Sequence, residues 1–174
     1  SQRYRRNVRR ISEAAGLQRG GQIEIEFDPA YQTLTLHHLD LWRDDKRINR
    51  LDRRQVKLLH REPQLERQII DGRMTASIVL EDLRVGDRLD WAYTLSGDNP
   101  VFEGRFVDQE WMSSSLGPVG LARLRLLAPS ERKLHHRTRQ ADTEVSERVD
   151  GRWRETVFQR RGAAQFNFDP LLPM

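Results

Sequence analysis

Apolar and polar residues alternate with a period of two in segment after segment, the pattern of β-strands with one buried face. In "QIEIEFD" the residues Ile23, Ile25 and Phe27 fall on one side. In "QTLTLHHLDLW" Leu34 and Leu36 are in phase, but Leu39 and Leu41 resume one residue out of step. One inserted residue re-phases a strand, so the pattern predicts a β-bulge near His37 and His38. "MTASIVLE" aligns Met74, Ala76, Ile78 and Leu80, and "RLDWAYTLS" turns Leu89, Trp91, Tyr93 and Leu95 inward. Arg88, Asp90, Ala92, Thr94 and Ser96 are left for the opposite, polar face.

Turn residues separate these runs. Val85-Gly86-Asp87 precedes the aromatic strand and Gly97 to Pro100 follow it, so residues 84–106 read as a hairpin with a second strand after the Asn-Pro turn. "LARLRLLAP" reads as a strand closed by Pro129. "TEVSERV" and "RWRETVFQ" flank Asp150-Gly151, which suits a two-residue type I′ turn. That register sets Glu147 against Arg154 and Arg148 against Trp153. The stretch "RINRLDRRQVKLLHREPQLERQII" supports two readings: Ile48, Leu51, Gln55, Leu58 and Leu59 fall near helical spacing, whereas "VKLLH" suits a strand, and Pro63 interrupts either. Gly16, Gly20 and Gly21 look like a linker between strands, and "FNFDPLLPM", with Phe166 and Phe168, like a connecting tail. Together the elements predict an all-β fold, an antiparallel β-sandwich of roughly ten strands with at most one short helix. One domain would span residues 1–165, with 166–174 as a linker.

Composition narrows this further. Among 174 residues, 37% are apolar and 32% charged, which suits strands with one wet face better than a doubly covered parallel sheet. The 30 basic residues exceed the 26 acidic by four, but the charges interleave except in "RYRRNVRR" and around "RTR", so a nucleic-acid partner is disfavoured. The absence of cysteine excludes disulfides, thiol nucleophiles and zinc-finger motifs. No apolar run approaches the ~20 residues of a membrane-spanning helix.

The residues that could carry chemistry do not assemble into a site. His37-His38 and His135-His136 are adjacent on strands and should point to opposite faces, and His60 stands alone, so no metal-ligand set emerges. "WMSSSLG" holds three serines without a nucleophile elbow. Asp44-Asp45 and Glu81-Asp82 lie in turns, where acids cap backbone groups. The glycines 16, 20 and 21 lack the Lys-Ser/Thr of a phosphate loop. Trp91, Tyr93, Phe102, Phe106 and Trp111 could line a carbohydrate groove, but alternating aromatics favour a core. No residue is therefore assigned a catalytic, cofactor-binding or metal-binding role, and no cofactor is expected.

The order "FDPAYQTLTLHHLDLWRDDKR", "LLHREPQLERQIIDGRMTASIVLEDLRVGDRLDWAYTLSGDNPVFEGRF" and "PVGLARLRLLAP" resembles the domain-of-unknown-function family 3857 (DUF3857) from about Ile23 onward. The resemblance implies a β-sandwich module placed ahead of a transglutaminase-like domain in bacterial envelope proteins. The Cys, His and Asp of the active site belong to that partner domain, and this chain has no cysteine onto which the nucleophile could be carried. "RDDKR" departs from the family's Asp-Gly turn at Asp45. The expected function is a non-catalytic accessory module that positions or regulates the downstream transglutaminase-like domain. Its expected location is the periplasm or cell envelope, after removal of a signal peptide. The alternative is a ligand-binding module for cell-wall peptide or carbohydrate built on exposed aromatic and arginine side chains, and an autonomous hydrolase comes third.

Overall fold

A computed structural model describes residues 1–60, 72–115 and 117–165. The fold is all-β and antiparallel, and the described residues form ten strands in three sheets and one four-residue helix, α1 (Leu17–Gly20). The chain divides into two compact units, Ser1–Val107 and Asp108–Met174.

The first unit contains β1 (Gln2–Arg10), β2 (Gln22–Phe27), β3 (Thr33–Arg43), β4 (Lys46–Asn49), β5 (Lys57–His60), β6 (Met74–Val79) and β7 (Arg88–Ser96). Four of them form a sheet in the order β1-β7-β3-β4, and the other three a sheet in the order β2-β6-β5. Both sheets contribute to a single core: Ile23, Ile25, Ala76 and Ile78 from the smaller, Leu39, Leu41, Leu89, Trp91, Tyr93 and Leu95 from the larger. Each fully buried leucine here contributes about 1.5–3 kcal/mol over leaving it in water. The period-two expectation thus holds for β2, β3, β6 and β7, and the register of β3 on β7 shifts between Leu36 and His38, where the bulge was predicted. Up to His60, the segment that supported both helix and strand forms β4, a 3-10 turn at Arg53–Gln55 and β5, and its remaining residues lie outside the described ones. Pro63 lies outside the described residues.

β1 departs from expectation. Its arginines gave no strand signal, because the apolar residues Tyr4 and Val8 face outward while Arg3, Arg5 and Arg9 lie opposite Leu95, Tyr93 and Leu89 on the core-facing side. Charged residues turned inward on an edge strand are a known guard against edge-to-edge pairing. β7 departs too. It lies between β1 and β3 along its whole length, so Ala92 and Asp90 on its presumed wet face are buried as well. The second strand expected after Asn99-Pro100 does not form. Asn99 instead accepts from the Val101 amide and caps a 3-10 turn at Pro100–Phe102, and Glu103 and Gly104 then take positive φ. Successive left-handed residues cannot continue a strand. β7 pairs with β1 and β3, not with a hairpin partner.

The second unit is a three-stranded sheet, β8 (Val119–Pro129), β9 (Glu144–Asp150) and β10 (Trp153–Ala163), in the order β8-β10-β9. The β9–β10 hairpin forms, with its turn one residue later than predicted: Asp150 pairs with Trp153, and Gly151-Arg152 make the loop. Gly151 has φ 56° and Arg152 is not among the positive-φ residues. This sign pattern suits a II′ turn, which needs glycine only at its first central position. Glu147 consequently lies opposite Thr156, and Arg148 opposite Glu155. The tail with Phe166 and Phe168 lies outside the described residues.

Candidate functional site

A polar assembly lies on the face of the four-stranded sheet opposite the core. Residues opposite one another in an antiparallel sheet share a face, so Asp90 has Val8 on one flank and Asp40 on the other. Arg6, diagonal to it on β1, grips the carboxylate with two bonds, Nε to Oδ1 at 2.9 Å and Nη2 to Oδ2 at 2.6 Å. His38 Nε2 stands 3.0 Å from the same Oδ1. The hydrogen bond from Arg6 outweighs the cost of burial and lowers the Asp90 carboxyl to about 2, while the Arg6 guanidinium is raised.

The bulge changes where the histidines point. His37 Nε2 lies 2.7 Å from Thr94 Oγ1, and the Tyr4 ring packs on it with centroids 5.6 Å apart. Thr94 and Asp90 belong to one face of β7, so the extra residue brings both His37 and His38 to that face. Opposite-facing histidines were the expectation, and strict alternation fails here because the bulge breaks it. Among the described residues no group of three or more His, Asp or Glu is arranged to hold a metal ion. Asp40, buried opposite Asp90, is paired with Arg47 at 3.0 Å, and its Oδ1 has no hydrogen-bond partner. Two facing carboxylates thus each carry their own arginine. Asp90 is saturated and ionised at neutral pH, which suits it to tying β1, β7 and β3 together rather than to moving protons.

A second clamp explains Val85-Gly86-Asp87. Arg43 donates to both Asp87 oxygens (2.9 and 2.8 Å) and to the Asp82 carbonyl (2.7 Å), and the Arg84 amide adds a further bond to Asp87. Asp87 is buried, and the Arg43 hydrogen bonds hold its carboxyl below the ordinary range. The main chain at Gly86 and Asp87 also exchanges hydrogen bonds with Ile11. The turn therefore fixes the start of β7 to the ends of β1 and β3. Nearby, Arg9 lies over the Trp91 ring at 5.1 Å and donates to the Gly20 carbonyl, with burial lowering its pKa. A Cβ at Gly20 would come 2.2 Å from Ile11 Cδ1, so any larger residue there would displace the Ile11 side chain.

In the second unit, Glu155 sits between Arg125 of β8 and Arg148 of β9, hydrogen-bonded to the first and 3.0 Å from the second. These contacts lower its pKa, Arg125 contributing most. An open groove of about 370 Å3 crosses this side of the sheet, lined in part by Arg123, Ser146, Arg148, Val157 and Gln159. The predicted pair of Glu147 and Arg154 exists as a diagonal contact at 3.6 Å, and the arginine over Trp153 is its neighbour Arg152, not Arg148. His136 meets the buried Phe158 edge-on at 4.9 Å.

The aromatic set divides. Trp91 and Tyr93 are core, whereas Phe102, Phe106 and Trp111 are exposed, Trp111 to 65%. Asp44 and Asp45 occupy the two-residue β3–β4 turn with φ of 49° and 57°. At Glu81-Asp82 it is the carbonyls that accept, from Arg50 and Arg43.

The chain is thus all-β and antiparallel, and its buried charges join strands. It belongs to the DUF3857 family: the family model described as "Domain of Unknown Function with solved-structure structure (DUF3857)" matches residues 1–165, and so takes in β1 ahead of Ile23. Among solved structures it is similar to a protein of Parabacteroides distasonis described as a "putative protease", with a TM-score of 0.80 at 14% identity. That match covers 99% of this chain but 34% of the other, so the chain spans about a third of that protein's length. Comparison with curated proteins gives no match.

Proposed function

We propose that the chain is a non-catalytic module that positions or regulates a transglutaminase-like, cysteine-peptidase-like domain of the same polypeptide in the bacterial cell envelope. The carrying observation is the match in which nearly all of this chain corresponds to one third of a longer protein described as a "putative protease". The side chains point the same way: the best-organised carboxylates, Asp87 and Asp90, are consumed by arginines that hold strands in place. Of the three tryptophans that divide this reading from the ligand-binding alternative, Trp91 is buried at 8% exposure, while Trp111 and Trp153 are exposed.

The test compares the full-length polypeptide encoded around this chain with a form lacking residues 1–165, alongside the isolated chain. Deleting the module should reduce peptide hydrolysis or lower the melting temperature of the remainder, and the isolated chain should turn over no peptide. Hydrolysis by the isolated chain that a point mutation abolishes would refute the reading. So would a deletion that leaves both activity and melting unchanged.

A further inference from the structure

The sheet of the second unit has two outer strands, and they differ in kind. β9 carries Glu144, Glu147, Arg148 and Asp150 among seven residues, so charges of both signs blunt its edge. β8 is an eleven-residue strand, paired with β10 from Val119 to Pro129 and with no strand on its other side among the described residues. Proline enters only at its last position, so the interior of that edge keeps its amides available for pairing. One face of β8 presents Leu121, Arg123, Arg125 and Leu127, and the two leucines are 52% and 51% exposed.

We propose that the free edge of β8 receives an extended peptide segment bearing acidic residues at alternate positions, which adds a fourth strand to this sheet. The choice of occupant follows from charge. Arg125 is paired with Glu155, but Arg123 makes no ion pair or hydrogen bond among the described residues. An incoming strand that reads apolar, acid, acid, apolar on one face would meet Leu121, Arg123, Arg125 and Leu127 in order. A second copy of β8 fits less well as the partner in the registers that overlap the strand most fully. Antiparallel self-pairing centred on Arg123, Leu124 or Arg125 sets arginine directly opposite arginine, and like charges opposed across strands are destabilising. Main-chain bonds along an edge supply affinity and alternate side chains supply selectivity. This inference is independent of the accessory role.

The experiment uses the 174-residue chain and a short synthetic peptide alternating threonine with leucine, glutamate, glutamate and leucine. A lysine-for-glutamate peptide and a backbone N-methylated peptide serve as controls. The glutamate peptide should bind by fluorescence anisotropy and slow amide exchange within residues 119–129. The lysine peptide should bind roughly tenfold more weakly or less, and Arg123→Glu should narrow or invert that preference. The N-methylated peptide, which cannot complete the ladder, should not bind. Absence of binding by the glutamate peptide overturns the proposal, as does equal binding of the lysine or N-methylated peptide. Protection on β9 in place of β8, or self-association of the chain through β8, also overturns it.

Discussion

Asp90 makes the clearest individual contribution that can be measured. Its carboxyl titrates at about 2 in the folded protein against 3.8 ordinarily, chiefly because Arg6 hydrogen-bonds to the ionised form. A depressed folded value means the stabilisation is complete above the unfolded value and is lost as pH falls from near 3.8 through about 2. With the side chain 10% exposed, the effect is on the order of 1–2 kcal/mol. Asp87 shifts in the same direction through Arg43 and adds to the same acid limb. Asp90→Asn should therefore be less stable than wild type near neutrality and show a shallower loss of stability on acidification, read from denaturant midpoints. Parallel pH profiles for the two proteins would contradict this. Neither clamp was legible in the sequence. Arg6 lies 84 residues from Asp90 and Arg43 44 residues from Asp87, and no local pattern pairs charges at such separations. The inward set Leu89, Trp91, Tyr93 and Leu95 was legible, because alternation along one strand reports burial directly.

At the level of elements, turns and edges are where the structure departs from the sequence pattern. The bulge in β3 could be read because leucines on both sides of it had to reach one core. β1 could not, since an edge strand with arginines inward and Tyr4 and Val8 outward inverts the pattern being sought. Asp-Gly is a signature of the type I′ turn, yet Gly151 serves at the first central position, and the two-residue hairpin turn with both φ positive is Asp44-Asp45. Aspartate tolerates the left-handed region at a cost that glycine avoids. Asp45→Gly should accordingly stabilise the β3–β4 hairpin by about 0.5 kcal/mol, after allowing for glycine's greater freedom in the unfolded chain. The denaturant midpoint is the measure, and a fall in it would mean that the Asp45 side chain contributes more than its backbone strain costs.

Across the whole chain, the family match runs over both compact units, while the core residues are unevenly shared between them. The principal cluster, from Ile23 to Leu95, lies entirely within Ser1–Val107. In the second unit the buried side chains among the described residues are Thr156, Phe158 and Ala163. A fragment of residues 1–107 should therefore fold alone, with a β-type circular dichroism spectrum and a cooperative melt, and a featureless melt would show that its core is insufficient. The four tryptophans offer a way to watch this in the intact protein. Trp42 and Trp91 lie in the first unit, Trp111 and Trp153 in the second, and only Trp91 is buried. An indole shielded from water emits at shorter wavelength than one in contact with it. The blue edge of the emission band therefore belongs to Trp91, and its red shift during denaturation marks the moment the larger core opens. With Trp111 and Trp153 replaced by phenylalanine, the remaining light comes from the first unit alone.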